Sequence, residues 1–176
     1  MCLYTDSKQS SIAEEDITVY KMLIKLDSNK YFNTKKDKTL LPDIYASPFT
    51  YTKYYHGINK PGRELNEDGT WDESKSFHES ALGKVISSGW LHAYRFKEDA
   101  INEISEYVKH IGRNLFKNII LEVVCVKMTI PKGSHYVYGF YNRNKNICSD
   151  TLVWNENEKP IYVEQIVYRG DDCLID

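Results

Sequence analysis

The chain opens on polar residues that predict little order before Asp16, and the first regular hydrophobic pattern is Ile17–Leu26, ITVYKMLIKL. Successive side chains of a strand point to opposite faces. Val19, Lys21, Leu23 and Lys25 therefore share one face, and Tyr20, Met22, Ile24 and Leu26 the other. The second face carries no lysine and is the expected core face. Asp27–Lys30 has turn chemistry. β-prone runs follow around Thr50–Tyr55, at Lys84–Ser87 and at Trp90–Phe96. The period then changes. Within Lys97–Asn114, Ala100, Ile101, Ile104, Tyr107, Val108 and Ile111 recur at spacings of three and four, which predicts a helix with one apolar stripe. Glu98 and Asp99 suit its first turn, and Gly112 and Arg113 its end. A second, short helix is expected near 75–86. Asn118–Ile130 is apolar almost throughout and reads as a long strand covered on both faces over part of its length. Pro131–Ser134 reads as its exit turn. His135–Tyr141, Ser149–Asn155 and Ile161–Arg169 predict three more strands, with turns over Asn142–Asn146 and Glu156–Pro160.

Strands joined by short turns dominate the C-terminal half, which favours antiparallel pairing. The expected fold class is α+β: a twisted, mainly antiparallel sheet of roughly six or seven strands packed by one main helix. At 176 residues the chain is expected to form a single domain. Residues 31–80 form a long polar segment, read as a loop-rich insertion or a lid.

Composition narrows the function classes. A net charge of −2 provides no bulk attraction to nucleic acid or to anionic lipid. No run approaches the ~18 apolar residues of a membrane-spanning helix, and the polar opening shows no secretory signal, so no membrane association is expected. Cys2, Cys125, Cys148 and Cys173 form no closely spaced pair, which argues against a zinc ribbon and for a reducing, cytoplasmic setting. Cys125, in an apolar run, reads as a small core residue. Cys2 would become an amino-terminal nucleophile on removal of Met1, although any Met-Cys start shares that feature. His56, His78, His110 and His135 show no metal-ligand spacing, and no phosphate loop or dinucleotide fingerprint occurs. Neither a metal nor a resident cofactor is expected. The fourteen tyrosines suit half-buried sheet positions and interfaces alike.

Chemistry concentrates in Gly89–Ala100, GWLHAYRFKEDA. In an extended chain Trp90, His92, Tyr94 and Phe96 point one way, with His92 and Tyr94 about 7 Å apart. An imidazole and a phenol between aromatic walls suit the stacking and hydrogen bonding of a heterocyclic ring in an open hollow. The competing role is that of satisfied core groups. Arg95 would assist an anion at the start of the following helix. The expected ligand-binding set is Lys21, Trp90, His92, Tyr94, Arg95 and Ser149. Glu156, in a turn, and Glu164, in the last strand, are the late carboxylates that would act on a bound ribose.

ITVYKML, SSGWLHAYRFKEDA, VVCVKMTIPKGSHYVYG and CSDTLVWNE occur here in that order. With the Met-Cys-Leu start, the Gly-x-x-His-Ala-aromatic stretch before a helix and the Ile-Pro-x-Gly strand exit, the chain resembles a group of small uncharacterised proteins of phages and gut Bacteroidales. The likeness covers roughly residues 1–25 and 83–166. It implies a phage-type protein that sequesters a nucleotide or nucleotide-derived immune signal of its host. The layout is more distantly similar to the ADP-ribosyltransferase fold. That similarity implies an enzyme acting on NAD through Tyr94 and Glu164 or Glu156, with Lys21 where that family carries Arg or His and with no Glu-x-Glu pair on the last strand. A third reading is a tyrosine-rich module that binds a host protein or a second copy of itself.

Overall fold

A computed structural model of the chain describes residues 3–5, 9–26, 44–47, 52–61, 77–79, 85–87, 90–102, 119–141 and 144–168. The strands among them are β1 (Leu3–Thr5), β2 (Ser11–Ile12), β3 (Ile17–Leu26), β4 (Ile44–Ala46), β5 (Lys53–Tyr54), β6 (Gly57–Asn59), β7 (Phe77–Glu79), β8 (Val85–Ser87), β9 (Leu91–Tyr94), β10 (Ile119–Ile130), β11 (His135–Tyr141), β12 (Asn144–Ser149), β13 (Leu152–Trp154) and β14 (Ile161–Tyr168). Residues 97–102 are helical and are called α1. Every strand pairing among the described residues is antiparallel. Among the described residues the fold is thus a mostly antiparallel open sheet with one helical segment, and it has more strands than the sequence predicts.

The sheet runs β6-β13-β10-β3-β9-β12-β11-β1-β8-β7 and forks along its longest strands. On its outer side β10 meets β14 over Ile119–Cys125 and β13 at Thr129, with an irregularity in register between Val123 and Val124. On its other side it runs in register with β3 from Lys25 opposite Glu122 to Ile17 opposite Ile130. β3 changes neighbour in turn, pairing β9 at Tyr20 and β4 at Ile24–Leu26. These forks open gaps in the ladder where backbone groups need side-chain partners.

Both faces of β3 are buried, not only the expected one. Val19 and Leu23 join the largest apolar cluster with Val124, Val126, Met128 and Ile130 of β10, Leu91 and Ala93 of β9, Ile147 of β12, Leu152 and Trp154 of β13, and Tyr54 of β5. Met22 and Ile24 pack on the opposite face with Tyr94, Val123, Cys125 and Ala100. The lysine-bearing face thus faces the larger core, and Lys21 itself is buried. Trp154 anchors that core: its ring stands edge-on to Tyr45 at 5.1 Å and its indole N–H donates to the Glu158 carbonyl at 2.9 Å.

Several expectations are met within a residue or two. β3 and β11 have the predicted bounds, and β10 and β14 match theirs as far as the described residues reach, with positions 118 and 169 outside them. Pro131–Ser134 is a turn, closed by Ser134 N–H donating to the Pro131 carbonyl at 3.1 Å. α1 packs through Ala100 and Ile101 as the apolar stripe requires, while residues 103–114 lie outside the described ones. Others are corrected. The opening is not loose throughout: Leu3 of β1 is wholly buried against Trp90, Val137 and Cys148. Phe77–Glu79 is a strand where a short helix was expected near 75–86, and Val85–Ser87 is the strand that the β-prone run Lys84–Ser87 predicts. The segment 31–80 contributes β4, β5, β6 and β7 to the sheet. β12 covers Asn144–Ser149, where the polar Asn-Lys run suggests a turn, because pairing on both sides to β9 and β11 outweighs poor strand propensity.

Candidate functional site

β9 and β12 place four side chains in a block on one face of the sheet. Tyr94 stands opposite Asn146 and His92 opposite Cys148. His92 and Tyr94 therefore share a face. Directly opposed side chains in such a pair have Cβ atoms about 5 Å apart, and diagonal ones such as His92 and Asn146 about 7 Å. Trp90 extends the block toward Leu3 and Val137. The expected open, aromatic-walled hollow is not what these residues form. Trp90, His92 and Tyr94 are 4%, 7% and 1% exposed, whereas Phe96 lies beyond the end of β9 and turns 46% of its surface to solvent. The reason is packing on both faces of β9: Leu91 and Ala93 join the largest cluster on one, while Tyr94 packs with Met22, Ala100 and Cys125 and Trp90 with Leu3, Val137 and Cys148 on the other.

Within this block four polar atoms have no hydrogen-bond partner among the described residues: both ring nitrogens of His92, and both the amide nitrogen and oxygen of Asn146. Asn146 is 1% exposed. Each buried, unpaired polar group costs roughly 1–3 kcal/mol. Burial, reinforced by the charge of Lys21, lowers the His92 pKa to about 3. The ring is neutral at physiological pH, with one N–H donor and one lone-pair acceptor. Asn146 adds an NH2 donor and a carbonyl acceptor. The block thus offers matched donors and acceptors and no formal charge.

The remaining expected site residues are placed elsewhere. Lys21 alternates with Val19 and Leu23 and so projects from the face opposite the His92 ring. Its ammonium donates to the backbone carbonyl of His92 and lies 5.1 Å from the Tyr54 ring centroid, at the fork where β3 leaves β9 for β4. It has no ion pair among the described residues, and burial lowers its pKa to about 7. Ser149 is wholly buried and committed to a turn: its hydroxyl donates to the His135 carbonyl at 2.7 Å and accepts from Thr151 N–H at 3.2 Å. Arg95 is exposed, with its guanidinium 4.3 Å over the Tyr138 ring. Glu156 is exposed in the turn after β13. Glu164 lies on β14, with β3 and β10 between it and β9. Three interstrand steps separate Tyr94 from Glu164 by about 14 Å before any offset along the strands. Tyr94 and Glu164 thus lie on strands three steps apart in the sheet. Cys2 lies outside the described residues.

Asn146 is the residue that sequence reading misses. Its signal is the alternation in Asn144–Ser149, where an amide falls on the same side as Cys148 while Ile147 falls on the other. Treating Asn142–Asn146 as a turn hides that alternation. Among the described residues no three His, Cys, Asp or Glu side chains gather as metal ligands, and no helix is long and apolar enough to cross a membrane. Comparison of the chain with protein-family models, with curated proteins and with solved structures finds no match.

Proposed function

We propose that the protein binds a small molecule carrying a nucleobase-like ring, held at His92 and Asn146. The observation that supports this reading is the enclosed block of four unpaired polar atoms on neighbouring strands. A planar heterocycle with alternating donors and acceptors on its edge satisfies an amide and a neutral imidazole together, and an Asn amide pairs in this way with the edge of adenine. The flanking rings of Tyr94 and Trp90 favour a flat ligand. Among the described residues, the four side chains of the block itself provide no cation for a phosphate, so base recognition carries the affinity. Holding a ligand without converting it fits an enclosed site in which Tyr94 and Glu164 stand apart. Under the resemblance to phage proteins, the ligand is a nucleotide-derived signal that the protein sequesters in the cytoplasm of its host.

The test pairs native mass spectrometry of the purified protein with thermal melts against bases, nucleosides, cyclic nucleotides and NAD. Incubation must be long, because an enclosed site admits ligand only on opening. A ligand at ~100-fold excess over its Kd adds about 2.7 kcal/mol, which raises the melting temperature by roughly 5–10 °C for a chain of this size. Asn146→Leu is expected to abolish that rise and, by removing two unpaired atoms, to stabilise the unliganded protein by about 1–2 kcal/mol. No co-purifying mass and no response to any ligand of the panel would remove the reading. Release of nicotinamide from NAD would replace it with an enzymatic one.

A further inference from the structure

The face of the sheet opposite the His92 ring ends in an exposed group of aromatic and basic side chains. On β11, Tyr138 and Phe140 alternate with the buried Val137 and Gly139 and are 41% and 51% exposed. Tyr4 of β1 stands opposite Phe140 and is 37% exposed. On the other side of β11, Lys145 of β12 stands opposite Phe140 and is exposed. The chain leaves β9 next to it, with Arg95 N–H reaching the Lys145 carbonyl at 3.4 Å. The Arg95 guanidinium lies 4.3 Å from the Tyr138 ring centroid and 5.6 Å from that of Phe96. Tyr136 closes the row, its ring 5.1 Å from Tyr138. Neither Arg95 nor Lys145 has an ion pair among the described residues.

We infer that this aromatic and basic surface of β1, β11 and β12 binds single-stranded nucleic acid. Successive outward side chains leave the β11 backbone about 7 Å apart, a spacing that an extended strand of unpaired bases matches, although the Tyr136 and Tyr138 rings lean together to 5.1 Å. Sheet aromatics and guanidinium planes are platforms on which unpaired bases stack with little regard to sequence. Arg95 and Lys145 supply charge to the phosphates between them. Charge complementarity separates this occupant from a second copy of the chain. A self-complementary contact through this face would bring the same unpaired cations against each other. An acidic peptide would answer the charge and offer no flat partner to the rings. The local surface, not the net charge of −2, decides the matter.

The test is fluorescence anisotropy with labelled dT12 and rU12 across a salt series. Binding is expected, with a slope of log K against log salt of about −1.4 for two neutralised phosphates. Each stacked base is worth roughly 5- to 150-fold in affinity. Phe140→Leu and Tyr138→Leu keep apolar bulk on the strand and are each expected to weaken binding at least fivefold, whereas Phe140→Trp retains it. Arg95→Gln with Lys145→Gln is expected to flatten the salt slope toward zero. The inference is overturned by no binding at 50 mM salt and 100 µM protein, by binding indifferent to the two leucine variants, or by equal competition from poly-glutamate, which would assign the surface to an acidic protein. Asn146→Leu should leave dT12 binding intact, so this test and that of the His92 site succeed or fail separately.

Discussion

Lys21→Met is expected to stabilise the protein by about 2 kcal/mol at pH 6 and to remove its stability gain between pH 6 and 8.5. The lysine is 4% exposed within the largest apolar cluster, and burial lowers its pKa from 10.5 to about 7. Below about pH 7 the folded chain therefore holds an ammonium in apolar surroundings. Its supports are the His92 carbonyl and the Tyr54 ring face. The sign follows from proton counting. The unfolded lysine keeps its proton up to about pH 10.5 and the folded one loses it above about pH 7, so stability rises with pH across that window. With a folded pKa of about 7, the wild type gains about 2 kcal/mol from pH 6 to pH 8.5. Above pH 9 Cys125, raised to about 11 by burial, acts in the opposite sense. His92 governs a separate acid limb. Its pKa is lowered to about 3, so stability falls as pH drops below the unfolded value of 6.5. Urea melts from pH 4 to 8.5 resolve the two: Lys21→Met keeps the acid limb and loses the neutral one, and His92→Leu does the reverse. The variant gives up the hydrogen bond to the His92 carbonyl, which offsets part of the gain. A wild-type stability that is flat from pH 6 to 8.5 would show that the ammonium reaches water.

Gly139→Ala is expected to cost about 2–4 kcal/mol, because a side chain there has nowhere to go. A Cβ on Gly139 would stand 2.3 Å from the Tyr4 carbonyl oxygen and 2.6 Å from Leu3 Cγ. The first is backbone of the paired strand, so relief requires moving β1 away from β11. That motion would expose Leu3 and loosen its packing with Trp90, Val137 and Cys148. Gly133 provides the contrast. Its φ of 86° is in the left-handed region and a Cβ there meets nothing within 4 Å. Gly133→Ala therefore pays conformational strain alone, about 1–2 kcal/mol. The comparison is read from the two melting temperatures, the first variant falling roughly 5–15 °C. Equal losses would mean that β1 does not dock on Gly139.

How much of this was legible in the chain depends on the range of the interaction. Periodicity is local, and Ile17–Leu26, His135–Tyr141 and most of Ile119–Ile130 are visible as strands because their alternation or apolar length admits little else. The shared face of His92 and Tyr94 follows from the same two-residue period. The extent of the sheet does not. Strands of two or three residues, such as Ser11–Ile12 and Gly57–Asn59, carry no period and exist because longer neighbours offer them a ladder. Asn144–Ser149 has turn-like composition and becomes a strand because β9 and β11 pair with it on both sides.

The candidate site divides in the same way. Alternation along Trp90–Tyr94 brings the imidazole and the phenol together, and composition marks the surroundings as aromatic. Only the pairing of β9 with β12 adds Asn146, and only the cover over both faces of β9 turns an expected open hollow into an enclosed polar block. Lys21 is the sharpest case. Its place in the alternation assigns it to a face, but which face meets the larger core depends on residues more than a hundred positions away on β10 and β13. Local chain geometry sets the direction of a side chain; its dielectric surroundings, and so its charge state and its use, are set by which distant strands arrive beside it.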